Sequence, residues 1–181
     1  MKESRWWMVL SLVVTCLISA CALSQVYNLT RPRIEYQRNV EGLRLAFNAV
    51  LPEADRFEPV LPDSSVWHAF SGDRRIGSVL RVAKRGYAGP VPVTAGIDLE
   101  GRIVAIRIAS PAEGLKETPG LGLKALEESF RSQFQGKSAP EIRLTRDGGT
   151  IEAITGATIT SRAVTDALRE GMERYQELLK P

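Results

Sequence analysis

The longest apolar stretch of the chain lies at its start. No charged residue occurs from Trp6 to Thr30, and the part up to Val26 is almost wholly apolar. A helix needs about 20 such residues to cross a bilayer, so this stretch predicts a transmembrane helix that ends at Thr30-Arg31-Pro32. Lys2 and Arg5 precede it and predict a cytoplasmic N-terminus. We therefore expect a single-pass protein of the cell inner membrane, with the rest of the chain on the periplasmic face.

A lipid anchor is an alternative to an uncleaved helix. Ile18-Ser19-Ala20-Cys21 matches a lipoprotein cleavage box, in which Cys21 would carry the lipid. The apolar run continues past Cys21 to Val26, which favours the uncleaved helix. Both interpretations tether the rest of the chain to the outer face of the membrane.

After the span, the apolar positions predict a second, amphipathic helix and then a loop. The helical pattern is formed by Ile34, Val40, Leu43, Phe47 and Val50, and Leu51-Pro52 ends it. Residues 55–65 contain Pro59 and Pro62 and are predicted to be a loop. The chain thus begins with a membrane anchor at 1–30, followed by a helical stalk and linker at 31–65.

Short β-rich segments with some alternation of apolar and polar positions come next. They predict strands at Val66–Phe70, Gly77–Ala83, Val91–Ile97 and Arg102–Ala109. Glycine-containing turns separate them, and Glu100-Gly101 is placed as a hairpin turn. Strands that follow one another without intervening helices favour an antiparallel sheet.

Helical spacing returns at Leu123, continues through Leu126, Phe130 and Phe134, and stops at Gly136. Glu141–Thr145 predicts one more short strand. A last helix has a single apolar face, formed by Val164, Ala167, Leu168, Met172, Tyr175, Leu178 and Leu179. Strands followed by packed helices predict an α+β domain over residues 66–181, with a mainly antiparallel sheet packed by helices.

Composition and charge narrow the classes of function. Of 181 residues, 44% are hydrophobic and 25% charged, which is a globular composition. The formal net charge is +3 without any basic run interleaved with aromatics, so we expect no nucleic-acid partner. Cys16 and Cys21 lie in the apolar stretch and His68 is the only histidine, so no metal site is expected.

The segment Thr155–Ser161 precedes the last helix and carries candidate chemistry. Gly156-Ala157 permits a tight turn, and hydroxyls follow at Thr158, Thr160 and Ser161. Thr160 or Ser161 is predicted at or near the helix N-cap. A helix N-terminus suits a phosphate group, because its first N–H groups are unpaired and carry partial positive charge. The alternative is that Ser161 merely caps the helix.

Three segments resemble motifs of the FMN-binding domain family, which includes the G subunit of Rnf electron transport complexes and the C subunit of sodium-pumping NADH:quinone reductases. Thr155-Gly156-Ala157-Thr158-Ile159-Thr160 resembles the family's flavinylation motif. Glu117-Thr118-Pro119-Gly120-Leu121-Gly122 resembles its loop near the flavin, and Arg146-Asp147-Gly148-Gly149 resembles the segment that precedes the motif in Rnf proteins. The order and spacing of the segments agree as well.

The resemblance implies a membrane-anchored electron carrier within an ion-translocating oxidoreductase complex. It implies FMN bound covalently as a phosphoester on Thr160, attached by a flavin transferase that uses FAD and Mg²⁺. The remaining cofactor-binding residues are expected to be Gly156, Ala157, Thr158, Ser161, Glu117, Thr118, Gly120, Leu121 and Gly122, with no independent catalytic site. The other subunits of the complex are then the partners. Four basic residues lie within or beside the motifs: Lys124, Arg143, Arg146 and Arg162. Each could balance the charge of the phosphate or of a reduced anionic flavin, or be a solvated surface charge.

Other interpretations of the same residues carry less support. Gly120-Leu121-Gly122-Leu123-Lys124-Ala125 matches a dinucleotide fingerprint, but the strand that should precede it is missing. No nucleophile elbow or phosphate-binding loop occurs. Two alternatives of other classes remain open: an outer-face lipoprotein or binding module without a redox role, and a stand-alone flavin reductase domain.

Overall fold

A long N-terminal helix leads into a small α+β domain. The computed structural model describes residues 3–63 and 65–179, and the side chains of 6–27, 42–63 and 65–179. Helix α1 runs without a break over Glu3–Val50. The expectation of a separate second helix after Thr30-Arg31-Pro32 is therefore wrong, because the backbone continues as one helix up to Val50. The predicted side-chain face at Ile34 and Val40 lies outside the described side chains.

The chain divides into two compact units, one up to Leu43 and one from Arg44 onward. Within the first unit, Trp6–Tyr27 is one segment of 22 residues that is long and apolar enough to cross a membrane. At 1.5 Å per residue it is about 33 Å long, close to the thickness of a bilayer core. Such a segment is also typical of a signal sequence near an N-terminus.

The second unit contains one sheet of five antiparallel strands in sequence order. The strands are β1 (Arg56–Pro59), β2 (Val66–Ser71), β3 (Arg74–Arg85), β4 (Pro90–Asp98) and β5 (Ile103–Ile108). Each pairs only with its neighbours along the chain. The four predicted strands and the antiparallel sheet are confirmed, as is the α+β class. The hairpin at Glu100-Gly101 is confirmed too, since Asp98 Oδ1 accepts the N–H groups of Glu100 and Arg102 there.

Three local predictions are wrong. The expected loop after Asp55 contains strand β1, whose Arg56–Pro59 pair with Phe70–Trp67 at the edge of the sheet. Glu141–Thr145 is no strand, because only Leu144 forms a bridge, to Ile151. The helix expected from Leu123 is broken into short pieces: 3-10 turns at Gly122–Leu126 and Ser132–Phe134, and helix α2 at Glu128–Arg131.

The remaining helical elements are helix α3 (Thr158–Arg174), helix α4 (Gln176–Leu179) and 3-10 turns at Pro111–Glu113, Ala139–Glu141 and Thr145–Asp147. Helix α3 packs on β3 and β4, and its predicted apolar face is buried. Val164 and Leu168 are fully buried, and Tyr175 packs partly buried against the same core. The apolar stripe of α3 therefore closes one face of the sheet.

The end of α1 covers the opposite face of the sheet. Successive strand residues point to opposite faces, and on β4 Ala95 belongs to the core under α3 while Gly96 meets the last turn of α1. Phe47 on that turn packs its ring 5.0 Å from the Phe57 ring and 5.2 Å from the Trp67 ring. The last residues of α1 are thus part of the domain, between two aromatic side chains of the sheet.

Gly96 is a point of close approach between the sheet and the end of α1. A Cβ there would meet the Val50 carbonyl oxygen and lie 2.8 Å from Leu51 Cγ. We expect Gly96→Ala to lower the free energy of unfolding by about 1–3 kcal/mol, since a main-chain group cannot rotate away from the added methyl. Thermal unfolding of the detergent-solubilised chain, followed by near-ultraviolet circular dichroism, measures this loss.

Gly89→Ala is the matched control, because its Cβ would make only ordinary contacts with Lys116, the nearest at 3.5 Å. That variant should unfold at the wild-type temperature or slightly above it. Equal stability of Gly96→Ala and Gly89→Ala would contradict the close packing of α1 on the sheet.

Candidate functional site

The start of α3 is fixed by a buried serine. The N-cap is Ala157 and no side chain caps the helix, so Thr160 and Ser161 lie near the N-cap as predicted, whereas the alternative that Ser161 merely caps the helix is wrong. Ser161 Oγ instead donates to the Ala157 carbonyl at 3.0 Å and accepts the Ile154 N–H at 2.9 Å. Both hydrogen-bonding roles of Ser161 are thereby used to join the preceding turn to the helix. The first N–H groups of α3 lack intrahelical partners.

Thr160 faces the interior of the domain. Its side chain is fully buried, and Oγ1 donates a hydrogen bond of 2.7 Å to Glu117 Oε2. The hydroxyl therefore has a partner from a segment 43 residues earlier in the chain. Thr158 is half-buried, and its hydroxyl makes no hydrogen bond with any residue that the structure describes.

Glu117 is a buried carboxylate held by a second segment as well. It is 7% exposed, and its Oε1 accepts the N–H groups of Tyr87 at 3.0 Å and Ala88 at 3.4 Å. Tyr87 and Ala88 belong to the turn between β3 and β4. Donors of this kind offset the cost of burying a carboxylate. Three segments thus meet at this residue: the turn 86–89, the loop 117–122 and the start of α3.

Two glycines fit closely around the Glu117 carboxylate. A Cβ at Gly122 would lie 2.6 Å from Glu117 Oε2 and 3.3 Å from Thr160 Oγ1, and a Cβ at Gly86 would meet Glu117 Oε1. The backbone consequently packs directly onto the carboxylate from both sides. A larger residue at either position would have to shift the carboxylate.

The outer part of the loop 117–122 lies at the surface. Thr118 and Gly120 are exposed, and the Thr118 carbonyl accepts the N–H groups of Leu121 and Leu123. Leu121 is 44% exposed, and its Cδ2 lies 3.0 Å from where a Cβ on Gly156 would be. The structure therefore brings the loop 117–122 against the turn before α3, as the resemblance implied for a shared site.

Exposed apolar side chains are concentrated around these three segments. In the unit from Arg44 onward, the exposed large hydrophobic residues among those described are Leu45, Tyr87, Leu121 and Ile159. The last three belong to the turn 86–89, the loop 117–122 and the first turn of α3. Sequence reasoning missed Tyr87 and Ile159. The signal for Ile159 was present, because it falls outside the 3.6-residue stripe that contains Thr160 and Val164.

The third motif joins the same end of α3 through an ion pair. Asp147 Oδ2 lies 2.7 Å from Arg162 Nη1, and this hydrogen-bonded partner raises the pKa of Arg162. Arg162 is therefore engaged within the chain. The side chains of Lys124, Arg143 and Arg146 are exposed and form no ion pair with the described residues.

His68 lies on strand β2 and is not part of this arrangement. The His68 ring is 3.4 Å from Ser78 Oγ on β3, and burial, followed by the charge of Arg75, lowers its pKa. Among the residues described, no three His, Cys, Asp or Glu side chains are grouped to hold a metal ion.

Comparison with known proteins identifies the class. Residues 86–173 match the model of the FMN-binding domain. The G subunit of the proton-translocating ferredoxin:NAD(+) oxidoreductase complex of Clostridium ljungdahlii is 32% identical over 167 residues, covering 91% of this chain and 88% of that protein. The G subunit of the Na(+)-translocating complex of Acetobacterium woodii is 35% identical over 195 residues, covering 94% and 91%.

Two solved structures share the fold. NqrC of Shewanella oneidensis matches with a TM-score of 0.51 at 17% identity, over 71% of this chain and 72% of that chain. The C subunit of the Na(+)-translocating NADH-quinone reductase of Parabacteroides distasonis also gives 0.51, at 22% identity, over 64% and 62%. At these identities the likeness concerns the fold alone.

The chain is therefore a protein with an FMN-binding domain, as the three motifs predicted. More particularly, it belongs to the family formed by the G subunits of ion-translocating oxidoreductase complexes. The resemblance and the expected class of oxidoreductase subunit are confirmed.

Glu113 anchors the start of the segment that leads to the loop 117–122. Its carboxylate accepts two hydrogen bonds of 2.8 Å from Arg107 on β5 and one of 2.7 Å from the Ser110 N–H. Burial by itself raises the pKa of Glu113, but the hydrogen bonds from Ser110 and Arg107 together bring that pKa below its ordinary value of 4.5. The ionised form therefore stabilises the fold above pH 4.5, and this contribution is lost as the pH falls through the folded pKa.

We expect Glu113→Gln to lower the free energy of unfolding by about 1–2 kcal/mol at neutral pH, since charge-assisted bonds are lost. The difference from wild type should shrink as the pH falls below 4.5. Urea unfolding at several pH values measures it. The control is Glu127→Gln, whose exposed side chain bonds to no described residue. A difference that stays constant with pH would contradict the assigned role of the Glu113 charge.

Proposed function

We propose that this chain carries FMN covalently, as a phosphoester on Thr160 Oγ1, and transfers electrons within a membrane-bound, ion-translocating complex. The observation that carries the proposal is the Thr160 hydroxyl, which lies in the uncapped first turn of α3 and bonds to a buried carboxylate. The names of the relatives point to the same class of complex. FMN, when bound, supplies the capacity to accept and release electrons.

The residues at the site fit both ends of this cofactor. A phosphodiester on Thr160 keeps one negative charge, which the open N–H groups and partial positive charge of the α3 N-terminus would stabilise. The exposed side chains of Tyr87, Leu121 and Ile159 offer an apolar surface for the ring. Around them, Thr118 and Gly120 would line the cofactor from the loop, and Gly156 and Ala157 from the turn.

An electron carrier suits this site better than an enzyme with its own substrate. Glu117 is buried, and both of its carboxylate oxygens accept hydrogen bonds from Tyr87, Ala88 and Thr160, so it does not present a free carboxylate to the exposed apolar side chains. A charged groove lined by Arg143, Leu144, Asp147, Arg162, Asp166 and Arg169 contains none of the three exposed apolar residues. We therefore assign the exposed surface to the cofactor and to the partner subunits that exchange electrons with it. Attachment would require a flavin transferase.

The helix segment Trp6–Tyr27 would hold the chain in the inner membrane. The basic residues before it favour an N-terminus in the cytoplasm, and thus a domain on the periplasmic face. Lys2 lies outside the described residues. Lipidation of Cys21 would leave the domain on the same side.

Thr160→Ala should abolish covalent flavin. In a host with a flavin transferase, the wild-type chain should give a fluorescent band on a denaturing gel, and an intact mass raised by one FMN less water. Thr158→Ala is the matched control and should keep both signals, because its hydroxyl is not bonded to Glu117. Flavin that persists in Thr160→Ala would place the attachment elsewhere, and a bare mass for the wild type would favour a binding module without a redox role.

A protease added to intact spheroplasts should degrade the domain and spare a tag placed before Trp6. This follows from the proposed orientation of the helix. As controls, detergent-lysed spheroplasts show that the protease can digest both the domain and the tag. The survival of a cytoplasmic protein shows that intact spheroplasts do not leak. A domain that survives in intact spheroplasts and disappears only after lysis would reverse the topology.

A further inference from the structure

Three hydroxyls lie within one turn at the start of α3, and the structure distinguishes them by their hydrogen-bond partners. We infer that Glu117 selects Thr160 as the attachment point by accepting the proton of its Oγ1 hydroxyl. The inference rests on the proposed function, since it concerns how the flavin is attached. It assigns to Glu117 a role before any cofactor is present.

Only Thr160 among the three hydroxyls bonds to a carboxylate. Ser161 Oγ donates to the neutral carbonyl of Ala157 and accepts from Ile154, so both of its roles are structural. The half-buried Thr158 makes no hydrogen bond with a described residue. A hydroxyl becomes a good nucleophile when a base lies within hydrogen-bonding distance, and 2.7 Å from Thr160 Oγ1 to Glu117 Oε2 meets this condition.

The position of Glu117 does not depend on its bond to Thr160. Oε1 is held by the N–H groups of Tyr87 and Ala88, and Gly86 packs against it. This leaves Oε2 directed at the Thr160 hydroxyl. An arrangement that uses one carboxylate oxygen as an anchor and the other as an acceptor is typical of a positioned general base.

The attachment step balances with a flavin dinucleotide as the donor. Thr160 Oγ1 forms a bond to the phosphorus of the FMN half of FAD, and the bond from that phosphorus to the oxygen of the AMP half breaks. AMP leaves, and the proton of Thr160 Oγ1 passes to Glu117 Oε2. Nothing is oxidised or reduced. General bases typically contribute about 10²- to 10⁴-fold to such a step.

The transferase must first reach a hydroxyl that is fully buried in the unloaded protein. The backbone of Gly122 lies against both side chains of the pair. Leu121 and Gly122 therefore have to move aside during attachment. The N–H groups of the turn 86–89 hold Glu117 independently of that segment.

The test measures the initial rate of attachment to the full chain, purified in detergent without flavin and incubated with purified transferase, FAD and Mg²⁺. Glu117→Gln is the variant. Its amide oxygen can accept the Tyr87 N–H while its amide group donates to Thr160 Oγ1, so the shape and packing persist but the proton acceptor is lost. We expect at least a tenfold lower rate, followed by in-gel fluorescence, with peptide masses locating the flavin. Glu127→Gln is the control, because its exposed side chain bonds to no described residue, and it should react at the wild-type rate.

The pH dependence separates proton acceptance from a merely structural role. Without the carboxylate, the reaction depends on hydroxide, so the ratio of wild-type to Glu117→Gln rates should fall as the pH rises. Glu117→Asp keeps a carboxylate and should recover part of the attachment rate. This variant also tests the inference if Glu117→Gln folds poorly. Flavin attached to Thr158 in the Glu117→Gln variant would support the inference that Glu117 selects Thr160.

Three results would overturn the inference while leaving the proposed function in place. They are attachment to Thr160 in Glu117→Gln at the wild-type rate, an equal loss of rate in Glu117→Gln and Glu127→Gln, and a ratio of wild-type to Glu117→Gln rates that does not change with pH. A wild-type chain that takes up no flavin would instead refute the proposed function.

Discussion

The burial of one face of α3 against β3 and β4 decides where the site forms. Helix α3 has 17 residues and acts as a rigid element. The packing of Val164 and Leu168 in its middle therefore fixes the position of its first turn. Thr160 lies four residues before Val164 and therefore belongs to the same buried stripe. Its hydroxyl points into the domain and needs a partner there, because an unpaired buried hydroxyl is costly. Glu117 supplies that partner.

The same carboxylate links segments that are far apart in the chain. The loop 117–122 has little apolar burial of its own, and Glu117 ties it to the turn 86–89 and to α3. Three hydrogen bonds from neutral donors satisfy the carboxylate, without any ion pair to it among the residues described. Gly86 and Gly122 pack directly on this carboxylate, where an added Cβ would meet its oxygens. The site is therefore formed by contacts between segments distant in the sequence, on a sheet whose strands pair with their neighbours along the chain.

The central strands and the last long helix could be predicted from the sequence, whereas the edge strand and the segment between residues 123 and 134 could not. Strands β2 to β5 and the buried face of α3 have periodic apolar patterns, which depend on local geometry alone. Strand β1 has four residues with one side chain partly buried, and it exists because Phe70 to Trp67 offer an edge to pair with. Between Leu123 and Phe134 the spacing was helical, yet burial of Ala125, Phe130 and Phe134 is achieved by short turns that follow the sheet. Tertiary contacts override local preference in both cases.

The site was recognisable from its motifs, but the reason for its residue types was not. Glutamate and threonine side chains are mostly exposed in proteins. Only the fold shows that Glu117 and Thr160 are buried and bonded to each other. The exposed side chains of Tyr87, Leu121 and Ile159 would cover only part of a flat ring, so a dissociable flavin would be held weakly there. A covalent link to Thr160 would remove that difficulty, because it raises the effective concentration of the cofactor at the surface. The ring could then stay exposed to a partner subunit, which is the arrangement that electron transfer between proteins requires.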